Sequence, residues 1–109
     1  MNMQLKNQSQ FELFADRIFH ALADAFPVPI TINFQDLGLA EGPAYEDTHG
    51  GGQVKTSHIS SHLFGTACLR FLMSEGFVNA DIRYADAANV VLTGAGLELL
   101  QIKFLSLNR

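Results

Sequence analysis

Pro27 and Pro29 stand two positions apart at the end of the most regular stretch of the chain, and they decide where its first element stops. A proline inside a helix removes a backbone donor, crowds the preceding turn and drives the residue before it out of helical geometry. Ahead of them, SQFELFADRIFHALADAF (residues 9–26) places Phe11, Phe14, Ala15, Ile18, Phe19, Leu22 and Phe26 at spacings of three and four, the period of one helix face. Ser9 followed three residues later by Glu12 has the form of a capping box, in which each side chain satisfies a free amide of the first turn. The phenylalanines on one face read as core packing in preference to an aromatic ligand pocket. Beyond the prolines, VPITINF (28–34) is short and β-branched and reads as a brief strand. FQDLGLA then allows a helical turn or a short helix.

Residues 41–57 carry Gly42, Pro43 and Gly50 to Gly52 among polar residues, the signature of a flexible, glycine-rich connector. HISSHLFGTACLRFLMSE (58–75) reads as the second long helix. Its apolar stripe is Phe64, Ala67, Cys68, Phe71 and Leu72, with Ser61, His62, Gly65, Thr66 and Arg70 toward the other side. Ser57 or Ser60 can cap its start, and Gly76 sits where a glycine ends a helix. FVNADIRY and NVVLT flank a small polar loop and read as a β-hairpin. Thr93 is placed to cap a last helix, GAGLELLQIKFLSL, whose Leu97, Leu100, Phe104 and Leu107 form one stripe. With Leu99, Ile102 and Leu105 it is apolar nearly all round, which points to burial in the core or to a homodimer interface through that stripe.

One domain over residues 1–109 is expected from the length. At 48% hydrophobic and 17% charged the chain is too apolar for a disordered segment. Its net charge of −4 is uneven: residues 1–49 carry two Lys/Arg against seven Asp/Glu, a balance of −5, and residues 50–109 carry five against four, +1. That balance opposes non-specific binding to a polyanion but leaves room for a local binding face in the second half. The single cysteine, Cys68, excludes an internal disulfide and a Cys-based zinc finger, and fits a reducing compartment. The polar N-terminal residues do not read as a signal peptide, and no apolar run reaches the ~20 residues of a membrane span. A cytoplasmic location is the expectation.

His49-Gly-Gly-Gly52 resembles the oxyanion-hole motif of lipases and esterases, but no G-x-S-x-G nucleophile elbow accompanies it. His58 and His62, four apart, can share a helix face with His49 nearby, yet Ile59 occupies the position where a metalloprotease carries Glu, and no carboxylate completes a ligand set. Cys68 lies on the apolar side of its helix, where a thiol is a small hydrophobe. No P-loop, dinucleotide fingerprint or triad spacing occurs. Neither an enzyme nor a metal or other cofactor is expected.

The order helix, short strand, turn, long helix, hairpin, helix resembles a winged helix-turn-helix domain, an α+β fold with three main helices, a short strand and a β-hairpin wing. SEGFVN, DIRY and NVVLTGAGLELL carry the resemblance: a helix closing on an E-G-[FY]-[IV] turn, a two-stranded wing, and an L-T-x-x-G-x-x-L-L helix start filled by Leu92, Thr93, Gly96, Leu99 and Leu100. The specific match covers about residues 70–100. DNA-binding members present the third helix to the major groove and the wing to the minor groove or backbone. The resemblance therefore implies a small transcriptional regulator that meets double-stranded DNA through Ser61, His62, Thr66 and Arg70, with Lys55 and Arg83 on phosphates. Three features depart from that pattern: the helix before the reading helix is reduced to a turn, the connector is long, and the reading helix holds one arginine and no lysine. The alternative is a winged-helix module that binds a protein partner and no DNA.

Overall fold

The computed structural model describes residues 5–101, a small compact α+β domain of three helices and two antiparallel sheets. Helix α1 (Gln8–Ala25) buries Phe14, Ala15, Ile18 and Leu22, the three-and-four stripe read from sequence. It starts two residues earlier than the expected capping box allows. Asn7 occupies the N-cap and no side chain caps the first turn; Gln8 instead reaches Glu12 at 3.4 Å. Phe26, ahead of Pro27, has left helical geometry (ψ 137°), as a residue preceding proline must.

Strand β1 (Ile30–Ile32) follows, and the chain then turns without forming a helix. Asn33 Oδ1 accepts the amides of Gln35 and Asp36, while the Phe34 carbonyl accepts those of Leu39 and Ala40. The expected flexible connector is a second hairpin, β2 (Tyr45–Asp47) and β3 (Gln53–Lys55), with Tyr45 opposite Lys55 and Asp47 opposite Gln53. Thr48 closes its turn: its amide donates to the Gly52 carbonyl and its Oγ1 accepts the Gly52 amide, across Gly51 at φ +86°. His49 to Gly52 are this turn.

Helix α2 (Ile59–Ser74) leads through Gly76 (φ +83°) into the hairpin β4 (Val78–Ile82) and β5 (Ala87–Leu92). Strand β5 is central, with β1 and β4 antiparallel on either side of it. The inward residues Ile32, Val78, Ala87, Val90 and Leu92 meet Phe14, Ile18 and Leu22 from α1 and Leu69 and Leu72 from α2, with Phe34 fully buried among them.

Helix α3 (Gly94–Leu99) begins as expected on Thr93, whose Oγ1 accepts the Gly96 amide at 3.0 Å. The same hydroxyl donates to the Gly76 carbonyl at 2.5 Å. Gly96 has to be glycine, because a Cβ there would collide with the Phe77 backbone. The expected dimer stripe is corrected at its first position: Leu97 is 4% exposed and belongs to this chain's own core. Leu100 is half-buried and packs on the same core. Phe104 and Leu107 lie outside the described residues. No helix among the described residues is long and apolar enough to cross a membrane.

Candidate functional site

Helix α2 is rotated relative to its sequence pattern. The face it turns inward takes in much of the polar side: His62, Gly65 and Thr66 are buried together with Cys68, Leu69 and Leu72. Each has a specific partner. Gly65 lies against the Phe34 ring, where a Cβ would come within 2.5 Å of its carbons. His62 Nε2 stands 2.9 Å from the Gly42 carbonyl. A carbonyl only accepts, so Nε2 is the donor in this contact. The Thr66 hydroxyl is shared between the carbonyls of Leu63, 3.1 Å away, and Tyr84, 3.2 Å away. Buried polar groups are tolerated when bonded, and here the bonds tie α2 to the segment ahead of β2 and to the β4–β5 turn.

This rotation corrects two expected DNA contacts. His62 is 0% and Thr66 1% exposed, so neither side chain is presented to a groove. Ser61 is half-buried, and Arg70 is exposed more than two turns beyond His62, about 12 Å along the helix. Lys55 is exposed on β3 and sits over Tyr84, its Nζ 3.2 Å from the hydroxyl and 4.9 Å from the ring centroid. That hydroxyl, with Tyr45 opposite Lys55, raises the lysine pKa above its ordinary value. Arg83 is held by Asp86 through Nε at 2.6 Å and Nη2 at 3.0 Å, which offsets its charge. Of the six residues, Lys55 reaches Tyr84, the chain neighbour of Arg83 in the β4–β5 turn, and Arg70 lies exposed on α2.

Of the expected apolar stripe, Cys68 and Leu72 are buried, Phe64 is half-buried, and Ala67 and Phe71 face outward. Phe71 is 50% exposed, stacked edge-on against Phe11 with ring centroids 5.7 Å apart. Leu5, Phe11, Phe64, Ala67, Cys68 and Phe71 line an apolar groove of about 400 Å³ between the start of α1 and α2, with Lys6 and Asn7 at its edge. Cys68 is 3% exposed, and burial pushes its thiol up to about 11, so at neutral pH it is a protonated hydrophobic group.

A second cleft, of about 340 Å³, lies between the loop and strand around Tyr45 and the β4–β5 turn. Asn33, Pro43, Tyr45, Arg83, Tyr84 and Asp86 line it, and His62 forms part of its wall. Sequence reasoning missed this cleft and the groove alike. Tyr45 and Tyr84 are 39 positions apart and share no motif, although they are the only two tyrosines in the chain. Among the described residues, no cluster of three or more His, Cys, Asp or Glu is placed to hold a metal ion. His58 packs on Gly42, and His20 pairs with Asp16 at 3.3 Å. No family model matches the chain, and no curated protein or solved structure matches it either.

Proposed function

We propose that this chain is a winged-helix-like interaction module whose docking surface is the apolar groove between α1 and α2. Three arrangements support the winged-helix reading: the strand order β1-β5-β4, the long helix feeding the β4–β5 hairpin, and the Thr93-capped helix behind it. The β2–β3 hairpin stands where that fold would carry its second helix. The observation that carries the functional reading is the half-exposed Phe71 beside Phe11 on the outward side of α2. Phosphate contacts supply much of DNA affinity, and this face offers a single cation, Arg70. Exposed aromatics over an apolar groove instead suit the anchor side chains of a protein. The occupant is an amphipathic segment of a partner protein with leucine or aromatic anchors. Basic flanks on that segment would match Glu12 and Asp16 on α1 and the −5 balance of residues 1–49.

The test is purification of the native protein and of Phe71→Glu from the source cell. The reading expects a protein held in one-to-one ratio by the native chain and lost from the variant, with the unfolding temperatures of the two chains matching. A dimer by light scattering that Phe71→Glu dissociates would place a second copy in the groove and overturn the heterologous partner.

A second reading, DNA-binding regulation, rests on Lys55 and Arg83 flanking Tyr84 at the tip of the β4–β5 hairpin, where a wing meets the backbone. It expects duplex binding that weakens with salt and with Lys55→Ala and is indifferent to Phe71→Glu. Salt-independent or undetectable duplex binding at low ionic strength removes it.

A further inference from the structure

Where the described chain leaves α3, it passes a depression of about 230 Å³ on the second half of α1. Asp16, Phe19, His20, Ala23 and Leu100 line it, and none of them lines the docking groove. Phe19, Ala23 and Leu100 are half-buried and pack against the core, so the depression is an open edge of that core. We propose that it is an intramolecular docking site for the segment IKFLSLNR (102–109), which lies outside the described residues, with Phe104 as its anchor. The apolar stripe at the end of the chain then serves this chain and not a second copy.

Four observations favour this occupant. The first is commitment of the stripe: Leu97 is already in the core and Leu100 already at the depression. Helix α3 ends at Leu99, and Gln101 at φ +57° breaks its path, so these leucines do not continue outward as one helical face. The second is reach. Ile102 and Phe104 follow Leu100 by two and four residues, within ~7 and ~14 Å of extended chain. So short a tether gives the segment an effective concentration on the order of millimolar, against which a second copy has to compete. The third is size, since about 230 Å³ falls below the roughly 300–1,000 Å³ of small-molecule sites and suits side-chain anchors. The fourth is charge. After Glu98 the chain carries Lys103 and Arg109 and no Asp or Glu. The depression is bordered by Asp16, with Asp24 eight residues on along the same side of α1.

The experiment is an isotope-filtered NOE measurement on the full chain, with ¹³C-labelled and unlabelled protein mixed in equal amounts. The expected result is a set of contacts from the Phe104 ring to the Phe19 ring and the Ala23 methyl within one chain. The same contacts seen only between labelled and unlabelled chains would assign the depression to a second copy and overturn the proposal. No contact from residues 102–109 to α1 overturns it as well. Two full-chain variants give an independent readout. Phe104→Ser should move the resonances of Phe19 and Ala23 and lower the unfolding temperature by at least about 5 °C, the shift expected from losing one buried phenylalanine. Lys103→Glu should lower it less, and Asp16→Lys in the same chain should recover part of that loss. An unfolding temperature that Phe104→Ser leaves unchanged counts against the proposal. The docking reading is tested separately, because Phe104→Ser should still hold the partner that Phe71→Glu loses.

Discussion

The two faces of α2 depart from the usual relation between polarity and burial. The inward face holds His62, Gly65 and Thr66 beside Cys68, Leu69 and Leu72; the outward one holds Ala67 and Phe71, with Phe64 half-buried against the core. Hydrophobic burial alone would rotate the helix the other way, since a buried phenylalanine contributes roughly 1.5–3 kcal/mol relative to an exposed one. Specific complementarity outweighs it: Phe34 fits only against a residue without a Cβ, and the carbonyls of Gly42 and Tyr84 receive their hydrogen bonds from His62 and Thr66. A face held by particular partners has one orientation, whereas the apolar face left outside can serve another molecule.

Mutations along this single helix test that contrast by urea unfolding. The largest effect is expected for Leu69→Ala, which empties a fully buried site and should cost ~2–5 kcal/mol. Gly65→Ala comes next, at about 1–3 kcal/mol, because the Phe34 ring is enclosed and has little room to yield. Adding Phe34→Leu to that variant should cost less than the two changes measured separately would sum to, since both act on one contact. Thr66→Val preserves shape and removes the hydroxyl from the Tyr84 carbonyl, for a loss of ~1–2 kcal/mol. Phe71→Ser, on the outer face, should lower stability by less than ~1 kcal/mol, the remainder of its edge contact with Phe11. If Phe71→Ser proved as damaging as Leu69→Ala, the outer face would be core and the docking reading would fail.

Legibility in the sequence divided along the same line. Helix α1 was readable because its buried residues are all apolar at one period and prolines end it. The turn at Gly76, the β4–β5 hairpin and the cap at Thr93 were readable because each depends on local chemistry. The orientation of α2 was not, since it depends on Phe34, Gly42 and Tyr84, which lie 31, 20 and 18 positions from their partners Gly65, His62 and Thr66. The β2–β3 hairpin escaped because its strands are three residues each and Glu46, Asp47, Gln53, Val54 and Lys55 are all exposed, so no buried alternation marks them. The two candidate sites inherit these blind spots. The groove exists only because α2 is rotated, and the cleft only because the β2–β3 hairpin brings Tyr45 to Tyr84.

The hydroxyl of Thr93 does more than start a helix. By donating to the Gly76 carbonyl while accepting the Gly96 amide, it ties the glycine just past the end of α2 to the first turn of α3, across 17 positions of chain. The Thr93 amide adds a bond to the Phe77 carbonyl beside it. The β4–β5 ribbon is thereby closed at its base into a ring, and opening α3 means opening that base as well. In hydrogen-exchange terms, the amides of Thr93 and Gly96 should lose protection together with that of Phe77, as one cooperative unit and not as a fraying end.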